Sequence, residues 1–278
     1  MTLIKTIQEL QKALAPAHAA GKTIGLVPTM GALHEGHLSL IRRAHAENDL
    51  CVVSVFVNPT QFNNAEDLQK YPRTLDADLA LVGDLADIVF APSAEEVYRI
   101  PATEHYDFGP VEQVMEGPAR PGHFNGVGII VKRLFDWVDP TRAYFGEKDY
   151  QQVAVVKTLV RQCGLKLEIV PCPIVREASG LALSSRNQRL TADQRATAAN
   201  IYRILKESRD LQTTDTQKII AFVAREIEKY DLFKLEYYQI VDGESLQPIA
   251  DLTAAPTAVG CIAVWADNVR LIDNIRYK

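Results

Sequence analysis

Thr23-Ile24-Gly25-Leu26-Val27-Pro28-Thr29-Met30-Gly31-Ala32-Leu33-His34-Glu35-Gly36-His37-Leu38-Ser39-Leu40-Ile41 is the stretch on which the fold turns. Ile24 to Val27 form a short apolar run that Pro28, Gly31 and Gly36 interrupt, and an apolar helical spacing restarts at Leu38 and Ile41. This pattern predicts a buried strand, a tight turn and a helix whose first turn carries His37, with His34 three residues earlier. A helix first turn offers unpaired N–H groups and the positive end of the helix dipole, so it suits phosphate. Two helical imidazoles at i and i+3 lie on one face, roughly 5–6 Å apart at Cβ. Gly36 between them lets a backbone approach a ligand closely. The plain alternative is that a histidine here is a capping or surface residue. Zinc fits poorly, because metalloprotease histidines stand at i and i+4, whereas these stand at i and i+3.

Outward from that stretch, the composition describes a folded protein. Of the 278 residues, 47% are hydrophobic and 23% charged, which argues against disorder and allows one large domain or two. A net charge of −5 gives no general attraction for nucleic acid or anionic membranes, so any anion site must be built locally. No apolar run approaches the ~20 residues of a membrane span. The Met1–Leu14 pattern is amphipathic, with acidic and amide residues, unlike a signal or transit peptide. The four cysteines, Cys51, Cys163, Cys172 and Cys261, are far apart and read as free thiols of a reducing cytoplasm.

In chain order, Ile4, Ile7, Leu10 and Leu14 predict a one-faced opening helix that ends near Pro16 and Gly21. Leu50 to Val57 is a β-branched run of the kind found inside parallel sheets, and it ends in the polar loop Asn58-Pro59-Thr60-Gln61-Phe62. The pattern then predicts a helix near 74–85, a strand 87–90, an irregular stretch 92–124, a helix 126–139, a strand 142–145, a helix 150–162 and a strand 167–170. Alternation of this kind predicts a Rossmann-like, doubly wound parallel sheet over residues 1–175. Beyond it, long helices at 191–211 and 216–230 and strands at 235–241, 258–266 and 269–275 predict a smaller α+β lid domain over 176–278, with a hinge around 175–185.

Three further segments carry chemistry. The amide side chains of Asn58 and Gln61 sit at the carboxyl end of a strand, where open α/β sheets bind ligands, although Asn-Pro is also a plain turn sequence. Gly146-Glu147-Lys148-Asp149 occupies a second strand-to-helix junction, where Lys148 can meet a phosphate and Gln152 lies one turn along. Leu183-Ser184-Ser185-Arg186-Asn187 pairs hydroxyls with a guanidinium after Gly180, suiting phosphate oxygens or, more plainly, a capped linker. Arg120-Pro121-Gly122-His123-Phe124 is a fourth, weaker basic loop.

Taken together, these segments and Tyr71-Pro72-Arg73-Thr74 closely resemble the pantoate–β-alanine ligase family over essentially the whole chain. The resemblance implies ATP-dependent condensation of pantoate with β-alanine through a pantoyl adenylate, releasing AMP and pyrophosphate. It implies an ATP site lined by Met30, Gly31, Ala32, Leu33, His34, Glu35, Gly36 and His37, with His34 and His37 on the phosphates and His37 as general acid. Gly146, Glu147, Lys148 and Asp149 would take the ribose and base, with Lys148 reaching the phosphates. Val175 would contact adenine, and Leu183, Ser184, Ser185 and Arg186 would clamp the triphosphate, Arg186 supplying the charge. Gln61 and Gln152 would hold pantoate, with Asn58 and Arg120 beside the substrates. ATP implies Mg²⁺, whose protein ligands no carboxylate pair marks; Asp78 is a candidate. The resemblance also implies a homodimer. Two rivals share part of the pattern: a nucleotidylyltransferase acting on a cofactor precursor, and a non-catalytic ATP-binding sensor.

Overall fold

The computed structural model describes residues 1–278. Its elements in the first part of the chain are β1 (Thr2–Ile4), α1 (Ile7–Ala19), β2 (Ile24–Thr29), α2 (Glu35–Glu47), β3 (Leu50–Val55), α3 (Ala65–Lys70), α4 (Leu75–Val82) and β4 (Ile88–Phe90). The short α5 (Ala94–Val97) and α6 (Glu116–Ala119) follow, then α7 (His123–Val138), β5 (Arg142–Gly146), α8 (Tyr150–Gln162) and β6 (Glu168–Cys172). The six strands form one sheet in the order β1-β4-β3-β2-β5-β6, every neighbouring pair parallel. That is the expected Rossmann-like sheet. From β2 the chain builds outward through β3 and β4, then returns to the other side of β2 with β5 and β6. The reversal between β2 and β5 is where such sheets open a ligand crevice at their carboxyl edge.

Pro28 sharpens that opening. The quoted strand runs through it to Thr29 instead of stopping at Val27. A proline cannot donate to a ladder, but β2 pairs with β5 only at Gly25↔Arg142 and Leu26↔Ala143. The strands therefore part ahead of Pro28, while β3 stays in register with β2 as far as Thr29↔Val55. Val27, Ile41, Ala44, Cys51, Val53 and Tyr144, each fully excluded from solvent, form the core beneath this edge.

The N-terminus corrects the expected opening helix. Thr2–Ile4 is a strand in register with Ile88–Phe90, so Ile4 is buried by sheet pairing and not by a helical face. The helix begins after Thr6, whose hydroxyl accepts from the Glu9 N–H, and it continues through Pro16 to Ala19. The irregular stretch before α7 contains the one-turn helices α5 and α6, and α7 itself starts three residues earlier than expected, at His123.

Residues after Pro173 add α9 (Ala192–Ala198), α10 (Asn200–Arg209), α11 (Thr216–Ile227), β7 (Phe233–Asp242), β8 (Ala258–Ala266) and β9 (Val269–Arg276). The strands form an antiparallel sheet, β7-β8-β9, and Ile204, Leu205, Ile219, Val223 and Ile227 join its buried face in one core. The single helix expected over 191–211 is broken at Ala199, because the Asn200 side chain takes the Thr197 carbonyl (2.9 Å). Such side chains compete locally with the helical ladder.

Two compact units result. The first holds Met1–Phe108, Arg120–Glu147 and Val155–Pro173; the second holds Gly109–Ala119, Lys148–Ala154 and Ile174–Lys278. The expected division at 175/176 falls beside the Pro173/Ile174 junction, and the second unit also takes two earlier segments. No helix is long and apolar enough to cross a membrane.

Candidate active site

The loop after β2 is shaped by its own backbone chemistry. Gly31 (φ +80°) and Ala32 (φ +49°) are consecutive left-handed residues. A side chain at Gly31 would start 3.0 Å from both Asp78 Oδ2 and Val55 Cγ1, so glycine is needed for space as well as for dihedral. Thr29 Oγ1 accepts from the Gly31 N–H (3.1 Å), and buried Asp78 accepts from Ala32 (3.1 Å) and Leu33 (2.8 Å). Thr74, four residues earlier, donates its hydroxyl to Asp78 Oδ1 (3.3 Å). Asp78, the candidate magnesium ligand, thus spends its carboxylate holding the loop.

The two histidines do not both lie inside the helix. His34 is the extended N-cap of α2 (φ −147°, ψ 177°), and His37 occupies its third position. His34 Nδ1 accepts from the Gly36 N–H (3.2 Å), and the His34 N–H donates to His37 Nδ1 (3.3 Å). First-turn amides expected to be open to phosphate are therefore partly engaged by imidazoles. Because each Nδ1 accepts, a neutral ring carries its proton on Nε2. The ring centroids are 4.1 Å apart. Two Nε2–H donors side by side at the carboxyl edge can meet a polyphosphate and the charge that develops on a departing one.

After β3, Asn58 and Gln61 occupy a tight turn, both buried. Asn58 Nδ2 donates to Gln61 Oε1 and to the Gly126 carbonyl, each at 3.1 Å. Its Oδ1 accepts from the Thr60 hydroxyl (3.0 Å) and the Tyr98 hydroxyl. All four hydrogen-bonding positions of the Asn58 amide are used, which leaves it orienting Gln61. Gln61 in turn directs its NH₂ toward Met30 Sδ, 3.1 Å away on the histidine loop. Burial raises the Tyr98 phenol above its ordinary range, keeping it a proton donor. His123 Nδ1 lies 2.8 Å from the Gln61 carbonyl, and its Nε2 lies 3.1 Å from Arg120 Nη1. A carbonyl only accepts and a guanidinium only donates, so the His123 proton sits on Nδ1. A side chain at Gly126 would come within 2.3 Å of the Thr60 carbonyl, which shows how closely α7 packs on this turn.

Gly146 closes β5 at the same sheet edge, and Glu147 is the last residue there belonging to the first unit. Lys148, Asp149 and Gln152 belong to the second unit, with Lys148 Nζ 3.7 Å from Asp149 Oδ2. The buried amide of this segment is Gln151, not Gln152. Gln151 accepts from the Glu116 N–H (3.0 Å) and donates to the Val111 and Val114 carbonyls (2.8 Å each). Val175 and Leu183 pair across a small hairpin, the Leu183 N–H donating to the Val175 carbonyl (3.0 Å). Ser184 caps the single 3₁₀ turn Ser185–Arg189 by accepting from the Arg186 N–H (3.3 Å).

The sequence named Gln61, the histidines and, as a candidate metal ligand only, Asp78; it missed Tyr98 and the carbonyl of Gly126 around Asn58, and Gln151 beside Gln152. Only Thr74-x-x-x-Asp78, an i,i+4 pair at a helix start, left a local trace. No group of three or more His, Cys, Asp or Glu side chains is arranged to hold a metal ion.

Comparison with known proteins covers the whole chain. The family model described as pantoate-beta-alanine ligase matches residues 2–276. A pantothenate synthetase from Phocaeicola vulgatus is 56% identical, covering all of both chains, and one from Bacteroides thetaiotaomicron is 54% identical, covering 100% of this chain and 99% of its own. The crystal structure of pantothenate synthetase from Thermus thermophilus superposes with a TM-score of 0.92 at 42% identity, over 100% of this chain and 99% of that one. A pantoate-beta-alanine ligase from Francisella tularensis, complexed with beta-gamma ATP and beta-alanine, gives 0.83 at 35% identity, over 100% and 98%. These full-length matches favour the ligase over both rivals, and the chain belongs to the pantoate–β-alanine ligase family of amide-forming enzymes.

Proposed function

We propose that the chain condenses pantoate with β-alanine through a pantoyl adenylate, with the His34–His37 pair and Gln61 as the centre of the adenylation step. The observation that carries this is the Gln61 NH₂ group 3.1 Å from Met30 Sδ, which puts a buried amide donor against the loop bearing both histidines. A carboxylate is a poor electrophile, and transfer to AMP supplies it with a leaving group. Gln61 holds the pantoate carboxylate, one oxygen attacks the α-phosphorus, and pyrophosphate departs. The Nε2–H groups of His34 and His37 donate to the phosphate oxygens, and His37, the candidate general acid, stabilises the departing group through that hydrogen bond. β-Alanine's amine then attacks the acyl carbon and AMP leaves. Positioning and charge stabilisation suffice, and no covalent enzyme nucleophile is required.

For the second unit, Lys148 and Arg186 are assigned to phosphate oxygens, Ser184 and Ser185 to the same anion, and Gln152 to pantoate. Limited proteolysis tests this part: ATP is expected to protect Ser184–Arg186 from cleavage, and identical cleavage with and without ATP would remove it. Mg²⁺ fits best as an ion carried by the triphosphate and water, since Asp78 is engaged with the loop. A homodimer in a cytoplasmic setting completes the proposal; sedimentation of the purified chain checks the dimer.

The adenylation step is tested by ATP–pyrophosphate exchange in the presence of pantoate and the absence of β-alanine. In the complete reaction with β-alanine and ¹⁸O in the pantoate carboxylate, one label is expected in AMP and none in pyrophosphate. ADP together with labelled inorganic phosphate would overturn the adenylate route.

A further inference from the structure

The second unit contains a buried tie that the condensation chemistry does not itself call for. Arg176 stands on the hairpin that leads into Ser184–Arg186, bridged to Ala182 on the returning arm. Its guanidinium grips Asp273 with both nitrogens, Nη1 to Oδ2 at 2.6 Å and Nη2 to Oδ1 at 2.8 Å. It also donates to the Gly180 carbonyl (3.2 Å) and lies 3.5 Å from the centroid of the Tyr202 ring. Four of its relations are thus spent inside the fold, so this arginine is not one that a triphosphate can recruit.

The next residue on the same strand holds a different segment. Asn274 Nδ2 donates to the main-chain carbonyl of Lys148 (3.1 Å), and Asn274 is itself buried. The Asn274 N–H donates to Asp273 Oδ1 (2.7 Å), so the two residues are locked to each other. Burial raises the Asp273 carboxyl, while Arg176 and the Lys148 charge favour its ionised form. Neighbouring residues of β9 therefore clasp two segments distant in sequence, the Lys148 turn and the hairpin before Arg186. On the far side of that hairpin Asn187 donates to Glu177 Oε1 (3.1 Å) and to the Ala182 carbonyl (3.0 Å), which ties the Ser184–Arg186 turn to the hairpin carrying Arg176.

We propose that Asp273 and Asn274 are positioning residues for adenylation, setting the separation of Lys148 from the Ser184–Arg186 turn through the Asn274–Lys148 and Asp273–Arg176 contacts. This rests on the assignment of Lys148 and Arg186 to phosphate, and it adds the residues through which that assignment is enforced. A misplacement of about 1 Å in such a constellation lowers a rate by up to about 100-fold.

The test is a double-mutant cycle between Asn274→Ala and Lys148→Ala in the full-length protein, read as single-turnover pyrophosphate release across ATP and pantoate concentrations. Asn274→Ala is expected to slow adenylation about 10- to 100-fold and weaken ATP, leaving pantoate affinity unchanged. In the Lys148→Ala background the same change should have almost no further effect, because coupled residues are non-additive. An additive loss, an equal loss for both substrates, or normal adenylation by Asn274→Ala overturns the tie while leaving the Lys148 assignment intact. Normal adenylation by Lys148→Ala overturns that assignment, and the tie with it. Asp273→Asn, which keeps one acceptor for Arg176, should fall between wild type and Asp273→Ala in ATP affinity. Loss of folding in Asp273→Ala leaves the Asn274 cycle to decide.

Discussion

The histidine loop with its neighbouring amide turn and the Lys148–Arg186 segments are held by different physics. In the first unit, Asp78 aside, the holding groups are neutral: two imidazoles capping a helix, Asn58 with four satisfied bonds, and the tyrosine and threonine hydroxyls around it. In the second unit the hairpin before Arg186 is anchored by a buried ion pair and the Lys148 turn by the Asn274 amide, with a second buried pair at Glu116. Arg176 meets Asp273, and Arg270 meets Glu116 with both nitrogens (2.9 and 2.8 Å) while the Tyr237 hydroxyl donates to the same carboxylate (2.6 Å). Neutral networks aim donors without adding fixed charge beside a polyanion. Ion pairs anchor chain segments strongly, but removing one partner strands a charge in the interior. Mutations of the holding groups in the first region should therefore register mainly in catalysis, whereas removing an ion-pair partner in the second should register first in stability.

His37→Ala is the severest test of the first half of that contrast. Adenylation should fall about 10²- to 10⁴-fold, the usual scale for a general acid or charge stabiliser, with only a small change in melting temperature. Pre-steady-state pyrophosphate release measures the rate, and near wild-type turnover removes His37 from the mechanism. Asp273→Ala probes the second half. It leaves Arg176 buried without its carboxylate and should cost about 3–5 kcal/mol of stability in denaturant titration. A loss below about 1 kcal/mol, on the scale of exposed pairs, would erase the contrast between the regions.

Gln61→Ala should weaken pantoate by about 1–3 kcal/mol, the cost of leaving a substrate carboxylate without its donor, while ATP affinity changes little. Calorimetric titration of each ligand separates the two, and equal losses would count against the pocket assignment. The smallest effect belongs to Tyr98→Phe. It removes one of two donors to Asn58 Oδ1, so about 0.5–1.5 kcal/mol of stability and a modest rise in pantoate KM are expected. A KM effect larger than that of Gln61→Ala would mean that Tyr98 contacts substrate directly.

What could be read locally was the alternation of strand and helix, because a buried parallel strand needs an unbroken apolar run and a covering helix needs a 3.6-residue stripe. Leu50–Val55 and Tyr150–Gln162 follow those rules and were legible, as were the glycines of the histidine loop. Thr2–Ile4 was not, because three residues paired to a strand far along the chain carry no periodicity. Pro28 misled in the same way: whether a proline is tolerated in a strand depends on where the neighbouring ladder stops.

For the site, covalent order was enough to establish which chemical groups are available: imidazoles before a helix, an amide turn after a strand, a lysine and an arginine among small and polar residues. The states of those groups came from folding alone. His34 and His37 have their protons placed by backbone amides, and Gln61 has its amide orientation set by Asn58, which is held by residues 98 and 126. The Lys148 turn and the Arg186 hairpin are joined through residues 273 and 274. Residue types and local spacing follow from the order of the chain, but the direction of a hydrogen bond depends on which distant partner folding brings within about 3 Å.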